Sequence, residues 1–154
     1  LRKVSSRGLE LGAQLNYKFW RINWKLKGQA QWSETKNKAV YDGNQAALGK
    51  PLPYTPGLSA GGGLWARKGA FSGVYLHQFT GSRFVSSDNQ SRLPGFQTGT
   101  AMLQYENHAT LLWCSTKSLT IHIAMENIWN VHYESLANRP MPGRNWRAGL
   151  QLAW

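Results

Sequence analysis

Cysteine, acidic residues and long apolar runs are all scarce in this sequence. Its one cysteine, Cys114, excludes an internal disulfide framework and a thiolate metal cluster. No segment approaches the roughly 18 to 20 consecutive apolar residues of a membrane helix, which excludes a helical membrane protein. The sequence begins at Leu1 without a basic and then apolar leader, so we expect no export signal in this piece.

The charge is one-sided. The 154 residues include 7 Asp and Glu and 18 Lys and Arg, which gives a formal net charge of +11. Charged residues make up only 16% of the sequence. The 8 Trp, 6 Tyr and 5 Phe argue against a disordered chain. We can place no Ser/His/Asp set, and the four His residues show no metal-ligand spacing. The sequence therefore predicts no enzyme, no metal site and no cofactor.

Alternating apolar residues predict long strands. Apolar residues take odd positions over 8–19 and even positions over 22–32. The change of phase at Trp20 and Arg21 predicts a tight turn between antiparallel neighbours. The same period recurs downstream and gives an all-β chain of about seven long antiparallel strands. These are residues 8–19, 22–33, 58–67, 71–83, 97–106, 117–126 and 145–154.

The connections between these strands alternate in length. Those near residues 20, 68 and 107–116 are shorter, whereas those at 35–57, 84–96 and 129–144 are longer and rich in Gly, Pro, Asn and Ser. Transmembrane barrels have short periplasmic turns and long extracellular loops. Several predicted strands are also long enough to cross a bilayer, which takes about 9 to 11 residues. We interpret the apolar face as lipid-facing. The alternative is a soluble β-sandwich that acts as a carbohydrate-binding module with exposed Trp.

The C-terminal residues carry a resemblance. Gly149, Leu152 and the terminal Trp154 follow the order of the signal by which outer-membrane barrels are recognised for insertion. Upstream, Glu126-Asn127-Ile128-Trp129 and Arg139-Pro140-Met141-Pro142-Gly143-Arg144 look like the end of a TonB-dependent receptor, in a form most similar to Bacteroidetes receptors. Three further segments resemble strand starts and exits of that family: Ser6-Arg7-Gly8-Leu9-Glu10-Leu11, Leu52-Pro53-Tyr54-Thr55-Pro56 and Gly81-Ser82-Arg83-Phe84.

The resemblance implies the architecture. Residues 1–154 would be the C-terminal segment of a roughly 22-stranded transmembrane β-barrel in the bacterial outer membrane, with the plug domain and earlier strands absent. Seven strands cannot close such a barrel. The remainder of the barrel and the plug would lie on the same polypeptide or on a second one; a small homo-oligomeric barrel is the third alternative.

The resemblance also implies a function. It is TonB-dependent active transport of a scarce nutrient (a siderophore, haem, cobalamin or glycan), with this chain supplying barrel wall and extracellular loops. TonB would act through the missing N-terminal part, and a surface lipoprotein lid is a further expected partner in some relatives. The loop residues that we predict to contact the small-molecule nutrient are Tyr41, Asn44, Asn89, Arg92, His132 and Tyr133.

The excess of positive charge has two expected locations. One cluster lies at and above the periplasmic end of the first hairpin, where its members on the polar face would line the lumen. The other lies at the extracellular end, where it would meet lipopolysaccharide phosphates. We predict no nucleic-acid partner, because Trp and Lys of residues 22–32 point to opposite faces, so stacking and phosphate contact could not act together. The lumen cluster is Lys18, Arg21, Lys25 and Lys27. The outer set is Arg2, Lys3, Arg7, Lys36, Lys38, Lys50, Arg83, Arg92, Arg139 and Arg144.

Overall fold

A computed structural model describes residues 3–39, 45–107 and 118–153. It contains seven long strands, and four short strands lie in the connections between them. The long strands are β1 (Lys3–Phe19), β2 (Ile22–Ala39), β3 (Leu58–Lys68), β4 (Phe71–Thr80), β7 (Phe96–Asn107), β8 (Ser118–Glu126) and β11 (Asn145–Ala153). The short ones are β5 (Arg83–Phe84), β6 (Arg92–Leu93), β9 (Glu134–Leu136) and β10 (Arg139–Pro140), and a 3₁₀ turn covers Gln45–Ala47.

The seven long strands form one antiparallel sheet in the order β1-β2-β3-β4-β7-β8-β11. Each long strand therefore pairs with the long strand before and after it in the sequence, as in an up-and-down barrel wall. This confirms the predicted all-β fold and the number of strands. Because all seven belong to one sheet, the alternative of two packed sheets in a soluble sandwich is wrong.

The register places most of the apolar side chains of the seven strands on the same face. One cross-strand row runs Leu15, Leu26, Leu64, Tyr75 and Ala101, and continues across β8 and β11. Many large apolar side chains on this face are exposed. Leu103 is 72% exposed and Leu150 is 65% exposed. An aliphatic surface of this extent is stable against lipid rather than against water.

His77 is a polar residue on the apolar face, where it lies between Gly62 and Gly99 of the neighbouring strands. Its Nδ1 is 3.0 Å from the hydroxyl oxygen of Tyr75, two residues earlier on the same face. This hydrogen bond partners both polar groups, which lowers the cost of placing them toward the hydrocarbon region.

The opposite face carries most of the polar and charged side chains of the sheet. Two ion pairs between described residues lie there: Arg67 of β3 reaches across β4 to Glu106 of β7 at 3.4 Å, and Arg147 of β11 pairs with Glu126 of the neighbouring β8. Lys25 and Lys27 lie on this face too, as predicted for the lumen cluster. In a closed barrel this face lines the lumen, which is polar in transmembrane barrels.

Tight turns close one end of the sheet. Trp20 and Arg21 join β1 to β2 with positive φ at both positions (48° and 60°), the geometry of a type I′ turn that matches the twist of a hairpin. The turn between β3 and β4 is also two residues long and has Gly69 at φ 57°. The connection from β7 to β8, with Cys114, lies outside the described residues.

The first hairpin is longer than predicted. The strand expected to end near residue 33 continues to Ala39, and its partner begins at Lys3 rather than near Gly8. Pairs such as Ser6 with Thr35 extend the ladder beyond the apolar band, up to an irregularity between Lys3 and Val4. The expected start of the first loop at residue 35 is therefore wrong, because backbone pairing continues after the apolar alternation stops. The fourth strand ends at Thr80 rather than at 83.

Little of the chain is buried. Among the described residues, the buried apolar side chains are Ala47, Leu93 and Ala124, and the buried polar ones are Asn37, Arg83 and Asn127. Only Ala124 and Asn37 belong to long strands, so the buried groups concentrate in the connections at one end. No helix long and apolar enough to span a membrane occurs in residues 3–39, 45–107 or 118–153.

Candidate functional site

Three long connections leave the sheet at the end opposite the tight turns. We call them the first loop (described over residues 45–57), the second loop (81–95) and the third loop (127–144). Their small hairpins, β5–β6 in the second loop and β9–β10 in the third, were not predicted from the sequence. The loops are joined to each other by hydrogen bonds and ring contacts, so they form one layer over this end of the sheet.

Hydrogen bonds join the first loop to the second. The backbone N–H of Tyr54 donates to the carbonyl oxygen of Phe84 at 2.7 Å, and Lys50 Nζ donates to the carbonyl oxygen of Asp88 at 2.7 Å. Tyr54 has φ 57°, a left-handed conformation between two prolines that aims its N–H at the neighbouring loop. The Pro-Tyr-Thr-Pro segment and the Gly-Ser-Arg-Phe segment thus meet directly.

Arg83 joins the second loop to the third. It is only 4% exposed, and its Nη2 donates to the carbonyl oxygens of Glu134 (2.5 Å) and Ser135 (3.0 Å). Its guanidinium lies 5.2 Å from the ring centre of Phe96, whose ring stacks on Tyr133 at 4.2 Å. A buried guanidinium needs this combination of carbonyl acceptors and an aromatic face. Arg83 therefore cannot contact lipopolysaccharide, and its place in the predicted outer basic set is wrong.

Asn127 organises the third loop. Its side chain is buried, and its backbone has a positive φ of 48°. The side-chain Nδ2 donates to the carbonyl oxygens of Val131 (2.9 Å) and Pro142 (3.2 Å). The side-chain Oδ1 accepts a hydrogen bond from the N–H of Val131 (3.0 Å). Asn130, three residues later, accepts at its Oδ1 a hydrogen bond of 3.0 Å from the N–H of Arg144 at the other end of the loop. The two asparagines thereby hold both ends of the loop together.

The tip of the second loop is held by Asp88. The Ser86 hydroxyl donates to this carboxylate, and the backbone N–H of Gln90 donates to it at 3.2 Å. These bonds, led by that from Ser86, hold the pKa of Asp88 below its ordinary value near 3.8. Asn89 follows at φ 59°, and its amide nitrogen reaches the carbonyl oxygens of Ser86 (3.1 Å) and Pro51 (3.3 Å).

The structure places four of the six predicted contact residues in this layer. Arg92 is exposed, lies 5.5 Å from the ring centre of Phe84 and donates to the Ser82 hydroxyl. His132 is exposed, and Asn89 and Tyr133 are half-buried. Asn89 and Arg92 lie in the second loop, and His132 and Tyr133 lie in the third. The two loops are joined through Arg83 and Phe96. The remaining two, Tyr41 and Asn44, lie outside the described residues.

The residues that tie the loops together were not among the predicted site residues. Arg83 and Asn127 do belong to the segments that carried the family resemblance, so the signal was present. Their role could not be derived from the sequence, because it depends on backbone carbonyls elsewhere in the chain: Glu134 lies 51 positions from Arg83, and Pro142 lies 15 positions from Asn127.

The predicted assembly signal at the C-terminus has a packing explanation at Gly149. This glycine pairs with His122 on the lumen face, and a Cβ at position 149 would collide with the His122 imidazole ring. Leu152 pairs with Leu119 on the apolar face, as predicted. Trp154 lies outside the described residues.

A charged column rises above the apolar band on the lipid-facing side of the first hairpin. Arg7 and Glu34 are paired across the two strands, on the same face as the pair Leu9 and Trp32. The Glu34 carboxylate forms ion pairs with both Arg7 and Lys36, each at 2.5 Å. The bond from Lys36, followed by that from Arg7, holds the pKa of Glu34 below its ordinary value. One carboxylate thus offsets part of two positive charges. Within the parts of the chain that the structure describes, no group of three or more His, Cys, Asp or Glu side chains could hold a metal ion.

A single amphipathic sheet of this length, with tight turns at one end and a layer of loops at the other, is a segment of outer-membrane β-barrel wall. Comparison with known families makes the class specific: residues 2–128 match the family described as "TonB dependent receptor-like, beta-barrel". The chain belongs to this family and is therefore an outer-membrane protein.

A solved structure supports the fold. The crystal structure of the ferric yersiniabactin uptake receptor FyuA from Yersinia pestis superposes with a TM-score of 0.66 and 18% sequence identity. The match covers 96% of this chain and 22% of that receptor, so the chain spans about a fifth of its length. A search of curated protein sequences found no match.

Proposed function

We propose that this chain forms the C-terminal wall and the outer loops of a receptor that imports a scarce nutrient across the outer membrane with energy supplied through TonB. The observation that carries the proposal is the sheet itself. One face is aliphatic, the other polar, and the loops above it are tied into one layer. Within this proposal the chain binds and passes its substrate without chemical change, so it is not an enzyme.

The missing part of the barrel follows from the edges of the sheet. Within the described residues, β1 and β11 each have a neighbour on one side only. Unpaired strand edges are not tolerated in hydrocarbon, so further strands must pair with both. We propose that residues 1–154 are the C-terminal segment, and that the other strands and a plug are on the same polypeptide or a second one. The intact mass of the denatured protein distinguishes these: several times 17.3 kDa means one chain.

The substrate would meet the loop layer first. Arg92 and His132 are its exposed members among the predicted contact residues, and we propose that they, with Tyr41, Asn44, Asn89 and Tyr133, approach the nutrient. The substrate class stays as predicted: a siderophore, haem, cobalamin or a glycan. The ferric yersiniabactin receptor shares the fold at 18% sequence identity, and this likeness does not select one of the four nutrient classes.

The charged column of Arg7, Glu34 and Lys36 supports lipopolysaccharide as a second partner. It stands immediately above Trp32, where the apolar band ends and the headgroup region of the outer leaflet begins. Guanidinium and ammonium groups at that height match the phosphates of lipopolysaccharide. A surface lipoprotein lid remains a prediction from the resemblance.

Uptake by cells tests the function directly. A strain lacking the intact receptor should fail to take up one of the four nutrient classes at low concentration, and restoring the receptor should rescue uptake only when TonB is present. Uptake that persists without TonB, or that is unchanged by loss of the receptor for all four classes, would refute the proposal.

Variants in the loop layer then test the contacts. Arg92→Ala and His132→Ala should each raise the nutrient concentration for half-maximal uptake about tenfold, the equivalent of about 1.4 kcal/mol. Gln90→Ala is the matched control, since Gln90 is exposed on the same loop and gives only its backbone N–H to Asp88. If all three variants behave alike, the contact assignment is wrong.

A further inference from the structure

A groove on the lipid face lies near the tight-turn end of the sheet. Its floor is Ala66 of β3 and Gly73 of β4, which pair with each other between Trp24 of β2 and Leu103 of β7. Because these two residues are small, the surface sinks between its neighbours and leaves a cavity of about 440 Å³. Its walls are apolar or aromatic: Ile22, Phe71, Leu103, Tyr105, Ile121 and Ile123.

Lys68 lies at the mouth of this groove, where β3 ends. It pairs with Phe71 on the lipid face, is exposed and belongs to neither of the predicted basic sets. Beside it, the rings of Phe71 and Tyr105 pack against each other at 4.9 Å. A lysine at a bilayer interface keeps its stem on apolar surface and its ammonium in the headgroup region.

The neighbouring turn marks the height of Lys68 in the membrane. Trp20 is 79% exposed, its ring stacks on Phe19 at 5.4 Å, and Phe19 stacks on Tyr17 at 6.2 Å. Aromatic rings form girdles at the two membrane interfaces of transmembrane barrels, and the tight turns lie on the periplasmic side. Lys68 and Arg21, which follows Trp20 in the turn, therefore lie at the height of the phosphates of the inner leaflet.

The two cations have no acidic partner in the part of the chain that the structure describes. Neither Lys68 nor Arg21 forms an ion pair with a described residue. At this end of the sheet Glu106 faces the lumen, where it pairs with Arg67. The positive charge on the lipid side therefore attracts a headgroup of net negative charge more strongly than a zwitterionic one, whose own ammonium it repels.

We propose that this groove binds an anionic phospholipid of the inner leaflet, with the phosphate at Lys68 and an acyl chain over Ala66 and Gly73. An ammonium donates strong charge-assisted hydrogen bonds to phosphate oxygens, and Arg21 adds positive potential at the same rim. Lipid tails are as apolar as the groove, so the groove contributes through close packing around the chain. The inference goes beyond the proposed function, because it needs only the barrel wall and its lipid.

Native mass spectrometry of the intact receptor tests the headgroup. The receptor is placed in nanodiscs of equal parts phosphatidylethanolamine and phosphatidylglycerol, and the lipids that stay bound after release are counted. We expect phosphatidylglycerol to be retained preferentially and Lys68→Gln to lower its retention severalfold. Lys27→Gln is the matched control: it removes the same charge from the lumen face and should leave retention unchanged.

A second pair of variants tests the acyl chain. A Cβ added at Gly73 would lie 3.5 Å from Leu103, an ordinary contact, so Gly73→Leu should fill the groove without displacing the strand. We expect this variant to lower the retention of phosphatidylglycerol severalfold although Lys68 is intact. Ala30→Leu adds the same side chain to the lipid face outside the groove and should have no effect.

The opposite outcomes overturn the inference. Equal retention of the two phospholipids, or equal losses in Lys68→Gln and Lys27→Gln, would refute the headgroup site. Unchanged retention in Gly73→Leu would refute the groove. The gel mobility of the folded barrel shows that each variant is assembled, and Lys68→Gln, an exposed substitution, keeps the test decisive if Gly73→Leu does not assemble. None of these readouts depends on nutrient uptake, so the proposed transport function is tested separately.

Discussion

Placing a charge on the lipid face should destabilise the receptor far more than placing the same charge on the lumen face. Leu26 suits this test because 11 residues, Ile22–Trp32, span the apolar band of β2, and Leu26 lies near the middle. Its neighbours are Leu15 and Leu64, and 52% of it is exposed toward lipid. A lysine near the bilayer midplane costs about 2–4 kcal/mol.

Gln29→Lys is the control, because Gln29 is on the same strand, three residues along, and faces the lumen. There a lysine remains hydrated, as Lys27 already does, and we expect a change within about 0.5 kcal/mol. Denaturant titration of the intact receptor in lipid vesicles, followed by the gel mobility of the folded barrel, measures both variants. Equal destabilisation by the two lysines would refute the assignment of the faces.

Three further perturbations follow from the loops and the last strand. Arg83→Ala should free the third loop for proteolysis and cost about 1–3 kcal/mol through carbonyls left unpaired, whereas the exposed Arg92→Ala should leave its cleavage unchanged. Gly149→Ala should cost about 1–3 kcal/mol by forcing the His122 ring aside, and combining it with His122→Ala should restore most of that loss in a double-mutant cycle. The pKa of Asp88 is lower in the folded protein than its ordinary value near 3.8. The Asp88 carboxylate therefore stabilises the second loop fully at any pH above that ordinary value, and this stabilisation is lost as pH falls through the lowered pKa of the folded state. Amide hydrogen exchange of that loop should show this loss, and Asp88→Asn should remove the pH dependence; an acid transition that persists in the Asn variant would contradict it.

The sheet could be predicted because its signal is local. Each strand shows its two faces through the period of two, and the turn at Trp20 appears as a change of phase. The outer part of β2 was missed because Thr35 and its neighbours are polar on both faces. Pairing there is set by the partner strand rather than by a hydrophobic pattern.

The loop layer could be predicted only in part. A charged residue in a polar loop, such as Arg83, has the sequence signature of a solvated side chain. Its burial depends on carbonyls of a loop about 50 positions away, and no local pattern reports them. Gly149 could not be explained from local sequence either. It must be a glycine because a Cβ there would collide with His122 on the neighbouring strand.

The central claim is that this sheet is barrel wall with lipid on one side and an aqueous lumen on the other. Cysteine accessibility along β8 tests it most directly, using intact receptor in outer-membrane vesicles, Cys114→Ser, and single cysteines at successive positions from Leu119 to Met125. We predict that a water-soluble maleimide labels the variants at 120 and 122 and spares those at 119, 121, 123 and 125, whereas the variant at 124 is spared because that position is buried. Equal labelling of the variants at 119, 120, 121, 122, 123 and 125 would show water on both faces and would contradict the account.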